Sequence, residues 1–225
     1  DSSLAFRYLL QDLAAGRGNS TARQKDESVK PVALACLSTL ACMPALLAAI
    51  VPAQAKTSAI TYDCDTPSDH FSELVLPVPD GAVTVTGKVQ VRELAQIKQF
   101  APLVRIGFGQ SVDNPGTAPA NIAGIKITAM PAKLVDKSIK DPKLAVELLQ
   151  WDEFAEGKEV EGEVIGVIPV GDALPFSLRL TGTSVAISFA GSEKTFATPI
   201  TDPALRIVCS TGEFLVTDLK ISSSG

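Results

Sequence analysis

The side chains best suited to chemistry crowd into one stretch, Asp152, Glu153, Glu156, Glu159, Glu161 and Glu163, directly after the single tryptophan, Trp151. Carboxylates at this density serve acid–base catalysis, as a pair across a cleft, or a hard cation that wants six to eight oxygens. Calcium is the cofactor such a set would take. A smaller acidic group, Asp63, Asp65 and Asp69, is its second possible site. No EF-hand spacing fixes either loop, and a charged strand face is the simpler account of both. Glu159-Val160-Glu161-Gly162-Glu163-Val164 alternates wet and dry positions, as one solvated face would. His70 is the only histidine and follows Pro67-Ser68-Asp69. Without a G-x-S-x-G elbow it lacks a serine to activate, and one histidine cannot build a histidine-rich zinc site. Neither a G-x-G-x-x-G motif nor a P-loop occurs; Gly107-Phe108-Gly109-Gln110 stops short.

Two places suit a ligand better than a reaction. Trp151, with Asp152 and Glu153 beside it, could stack a sugar ring and bind its hydroxyls; the alternative is burial of the indole. The segment from Gln110 to Asn121 offers Asp113, Asn114 and Asn121 around an Asn-Pro-Gly turn. The catalytic set is left empty. Lys56 to Gly225 holds fifteen Lys/Arg against twenty-one Asp/Glu, a net of −6. Nucleic acid and anionic membranes both reward clustered cations, so neither is expected as a partner.

The elements that must hold these residues begin late in the chain. Lys30 precedes an uncharged run, Pro31 to Ala55, that closes on Ala53-Gln54-Ala55. A basic residue, an apolar core, a helix-breaking proline and a small-x-small site read as a secretory signal over 29–55. An uncleaved membrane anchor is the rival reading. Residues 1–28 then stand as an upstream over-call or an extension with no role in the fold, and 56–225 as one exported domain, secreted or periplasmic. Of four cysteines, Cys36 and Cys42 leave with the signal. Cys64 and Cys209 form either a disulfide, the usual state of an even pair after export, or two buried thiols.

From Ser58 onward, short runs rich in Val, Ile, Thr and Phe are broken by turn residues, as half-buried strands require. They are Ser58–Cys64, Phe71–Val78, Ala82–Val91, Leu103–Phe108, Ile122–Met130, Glu159–Val170, Phe176–Thr181, Ser184–Phe189, Leu205–Ser210 and Phe214–Ile221. Asp141-Pro142 with Leu144 and Leu148 four apart predicts a helix over Pro142–Gln150. Arg92–Phe100 fits a second helix or a bulged strand. The class is all-β: a two-sheet antiparallel sandwich with one or two short helices.

Leu205-Arg-Ile-Val-Cys-Ser-Thr-Gly-Glu-Phe-Leu-Val-Thr-Asp-Leu-Lys-Ile resembles the final strand pair of concanavalin A-like (laminin-G-like) jelly rolls. Phe176 to Gly191 is similar to their hairpin, and Ala82 to Val91 to an early core strand. The likeness covers half of 56–225. It implies a jelly roll whose first and last strands adjoin, which suits a Cys64–Cys209 bridge. Retaining glycosidases of that superfamily carry Glu-x-Asp-x-x-Glu, which Glu159-Val-Glu-Gly-Glu-Val misses at its second and third acids. The expectation is therefore a non-catalytic secreted domain that binds a glycan or cell-envelope component. A structural envelope protein and a glycoside hydrolase or lyase are the alternatives; the enzyme would use a pair such as Glu153 with Glu213 or Asp218.

Overall fold

The computed structural model describes residues 59–95, 100–111, 120–141, 144–160, 162–197 and 199–224. The export signal expected over 29–55, Asp113, Asn114 and Glu161 lie outside them. The chain runs β1 (Ile60–Pro77), β2 (Ala82–Leu94), β3 (Leu103–Gln110), β4 (Ile122–Pro131), α1 (Ala132–Val135), β5 (Ala145–Ala155), β6 (Lys158–Glu159), β7 (Val164–Pro169), β8 (Leu174–Thr181), β9 (Ser184–Phe189), β10 (Ser192–Phe196) and β11 (Pro203–Ser224).

Two long strands turn this string into a sandwich. β11 pairs along one edge with β1, from Ile60↔Leu219 to Pro77↔Ala204. Its other edge is shared: Gly212–Ser224 pairs with β2, and Pro203–Ser210 with β3. The change of partner falls where Thr211 has φ 58° and Gly212 φ 151°, opposite a register shift between Thr66 and Phe71 that includes Asp69 at φ 62°. Extra residues on a strand bend it and sharpen its twist. The continuous antiparallel sheet thus folds over itself. One layer runs β10-β9-β8-β2 into the second half of β11. The other runs from the first half of β11 through β3-β4-β5 to β6 and β7. β3 meets β8 and β4 meets β9 across the gap. The result is an all-β jelly-roll sandwich, as the resemblance implied.

Alternation decides which side chains enter. Val83, Val85, Val89 and Val91 of β2 face Val104, Ile106 and Phe108 of β3 and Ile125 and Ile127 of β4 in one buried core. Each such side chain contributes about 1.5–3 kcal/mol on removal from water. The bridge Cys64–Cys209 sits in that core, its Cα atoms 6.6 Å apart. Cys64 lies in the first half of β1, opposite Phe214, and Cys209 in the first half of β11, opposite Val104. It therefore staples the two layers together at the bend.

Two expectations need correction. Among the described residues of the helix expected over Pro142–Gln150 none is helical: Ala145–Ala155 is strand, held between β4 and β7. Leu144 and Leu148 are indeed four apart, but Val146, Leu148, Gln150, Asp152 and Phe154 all share one face while Leu149 and Trp151 share the other. Pairing on both edges outweighs local helix propensity. Helix appears instead as the single turn α1. The expected strand Glu159–Val170 is two, β6 and β7, which pair with separate stretches of β5, Phe154–Ala155 and Val146–Gln150, with a register shift at Leu149/Gln150. Arg92–Phe100 resolves at its start, where β2 continues to Leu94.

A candidate ligand face on the second sheet

Register places the notable polar residues in rows across β11, β3, β4 and β5. One row is Val208–Arg105–Lys126–Gln150; the next is Arg206–Gly107–Gly124–Asp152; the third is Ala204–Gly109–Ile122–Phe154. These rows cover the outer face of the second sheet, opposite the core. The middle row has long side chains only at its ends. At Gly124 a Cβ would press into the Ile106 carbonyl oxygen and Gly107, so the two strands require glycine there. The bare backbone between Arg206 and Asp152 is a strip across which Arg105 can lie.

Arg105 does so. Its Nη2 donates to Glu159 Oε1 at 2.8 Å, its Nε lies 3.6 Å from Asp152 Oδ2, and its guanidinium carbon is 4.9 Å from the Phe154 ring centre. Lys126 Nζ donates to the same Glu159 oxygen at 2.6 Å. At the other end Arg206 binds Glu73 and donates through Nη1 to Gln110 O at 3.0 Å. Arg105 and Glu159 form the partly open lip, at 17% and 13% side-chain exposure, over an Asp152 that is 1% exposed.

Asp152 is poorly served by its surroundings. Neither carboxyl oxygen has a hydrogen-bond partner, and Gln150 Oε1 and Arg105 Nε are likewise without one. Burial pushes the Asp152 carboxyl above the ordinary range, against the pull of Arg105 and Lys126 and with a further push from Glu159. Glu159, between two cations, is differently placed. The face thus holds two carboxyl groups in contrasting environments, with three buried acceptor oxygens unused.

Of the residues singled out in the sequence, Asp152 and Glu159 belong to this face. Trp151 alternates with Asp152 and turns into the core, edge-on to Phe196 of β10 at 6.5 Å, so its ring has no exposed face for a sugar. Glu153 shares the inward set with Trp151 at the rim, half-buried and in register with Ala123. Asn121 holds loops together: its Nδ2 donates to Pro199 O at 2.7 Å and its Oδ1 accepts from Glu156 N at 3.0 Å. His70 is exposed and bonds Ser68 O. Glu213 and Asp218, the partners considered for Glu153, pair instead with Arg92 and Lys88. Among the described residues no three His, Cys, Asp or Glu converge as a metal site. Arg105, Lys126 and Gln150 were missed. For Arg105 and Lys126 the signal was a long charged residue inside an otherwise largely apolar strand, as in Leu103-Val-Arg-Ile-Gly-Phe; Gln150, in a strand with Glu147, Asp152 and Glu153, had no such signal.

Among the described residues no helix is long and apolar enough to cross a membrane. No family model and no curated protein matches the chain. Solved structures do resemble it. A carbohydrate binding module from Bacillus subtilis shares 12% identity over 74% of this chain and 96% of its own, with a TM-score of 0.43. A family 7 alginate lyase from Zobellia galactanivorans shares 10% over 67% and 65%, at 0.40. A Caenorhabditis elegans galectin shares 11% over 72% and 96%, at 0.38. Likeness this distant carries no argument about activity.

Proposed function

We propose that this chain is an exported, non-catalytic jelly-roll domain that binds a glycan or another cell-envelope component on the outer face of its second sheet. The observation behind this reading is the set of three buried acceptor oxygens, on Asp152 and Gln150, that have no donor. A buried acceptor left unpaired costs about 1–3 kcal/mol, and hydroxyl groups of a saccharide would relieve it. The glycine strip leaves the floor low where Arg105 now lies. Arg105 would swing outward, away from Asp152, as the ligand enters, leaving Glu159 paired to Lys126.

The test is a glycan array followed by calorimetry on the best hits, comparing wild type with Gln150→Ala and Asp152→Ala, the two residues that carry the unpaired acceptors. Loss of one to two such hydrogen bonds should weaken binding about tenfold, or roughly 1.4 kcal/mol. A ligand whose affinity is unchanged by both substitutions overturns the placement. The contrast between Asp152 and Glu159 favours one rival, a glycoside hydrolase with Asp152 as acid. Release of reducing ends from an envelope polysaccharide, abolished by Asp152→Asn, would replace the binding reading with that one.

A further inference from the structure

At the far end of β5 a second buried carboxyl joins the two layers. Glu147 points inward, in register with Ala129 of β4 and Ile168 of β7, and is fully covered. Its Oε1 accepts from Gly171 N at 3.2 Å, while Oε2 has no hydrogen-bond partner. Gly171 lies on the short connection by which the chain leaves β7 in one layer and enters β8 in the other. Its φ of 134° is in the region that favours glycine. The carbonyl of the same residue accepts from Gln90 Nε2 of β2 at 2.6 Å. One residue is therefore gripped from the second sheet by Glu147, through its N–H, and from the first by Gln90, through its carbonyl.

We propose that Glu147, Gly171 and Gln90 form a proton-controlled clasp, which holds the β7–β8 connection closed while Glu147 is protonated and releases it when Glu147 ionises. A charge at Oε2 would be buried with no donor to meet it. The flanking Ala129 and Ile168 offer none, and Gln90 is spent on Gly171. The charged group acting on Glu147 is Asp172, the next residue along the connection, and its sign is unfavourable. Burial is the larger influence and, with Asp172, outweighs the Gly171 hydrogen bond, raising Glu147 from an ordinary 4.5 to about 7. Opening would return it to water and to its ordinary value. Linkage between those two values raises the opening constant about tenfold from pH 6 to pH 8.

Native-state hydrogen exchange of the Gly171 amide, the group that donates to Glu147, tests this after correction for the intrinsic pH dependence of exchange. Wild type should open about tenfold more at pH 8 than at pH 6. Glu147→Gln, whose side chain keeps an acceptor for Gly171 but cannot ionise, should show no such rise. A flat wild-type profile, or a rise that persists in Glu147→Gln, overturns the clasp. If that variant does not fold, the Glu147 carboxyl resonance of the wild type decides: a midpoint in the ordinary carboxylate range refutes the proposal, and one near neutrality upholds it.

Discussion

Reduction of the Cys64–Cys209 bridge should cost this domain a large part of its stability, and the reason lies mainly in the unfolded chain. The bridge closes a loop of 145 residues. In the chain-entropy account such a loop removes about 17 cal/mol/K from the unfolded ensemble, or about 5 kcal/mol at 25 °C. Native strain and residual structure usually reduce that figure, so about 2–5 kcal/mol is expected. For a domain of about 170 residues, at roughly 2.1 cal/mol/K per residue, the unfolding entropy is about 0.36 kcal/mol/K. The melting temperature should then fall by about 6–14 °C. Calorimetry of the oxidised protein, the dithiothreitol-treated protein and Cys64→Ala/Cys209→Ala measures it. The double variant should fall somewhat further, since both sulfurs fill core space. A drop below about 2 °C on verified reduction would refute the reasoning. It would mean that β1 and β11 keep the loop closed even in the denatured ensemble.

Three further outcomes follow from the same packing. Gly124→Ala should destabilise the domain by more than about 2 kcal/mol in urea titration, because the Ile106 carbonyl it would strike is backbone and cannot step aside. Lys126→Ala leaves Glu159 with Arg105 alone in a nearly closed site and should cost about 3 kcal/mol, with Lys126→Met recovering part of the loss by restoring its packing. Glu147→Gln should stabilise the protein at pH 8 by about 1–2 kcal/mol, a discounted share of the roughly 3.4 kcal/mol that 2.5 pK units represent. The sign follows from a folded value above the unfolded one. Protonated Glu147 is unpenalised below pH 4.5, the penalty grows as pH rises towards 7, and wild type and variant should converge in acid.

The all-β class was legible because alternation is local: Ala82 to Val91 writes its buried valines at every second position, whatever strand it later pairs with. The hairpin at Gly182 and the turn at Gly81 were legible too, since positive φ values of 58° and 89° ask for residues that glycine serves best. The sequence also limited Cys64 and Cys209 to two states. Pairing was not local. The sequence entering β5 has a helix-like Leu144/Leu148 spacing and a proline at 142, yet neighbours 14 to 32 residues away on one edge and 14 to 23 on the other draw it into the sheet. Ser58–Cys64 and Phe71–Val78 read as separate strands because a bulge looks like a turn until β11 is laid against both.

The candidate site was divided in the same way. The acidic stretch after Trp151 was visible as composition, but alternation sends Trp151 inward and Asp152 outward, which spacing alone left open. What stands over Asp152 was beyond the sequence. Arg105, Lys126 and Glu159 come from three strands, up to 54 residues apart in the chain, and the register of β3, β4, β5 and β6 brings them together. Side-chain periodicity is a property of one strand and survives in the sequence. Register, burial and the resulting electrostatics belong to pairs of strands, and only the folded sheet determined them.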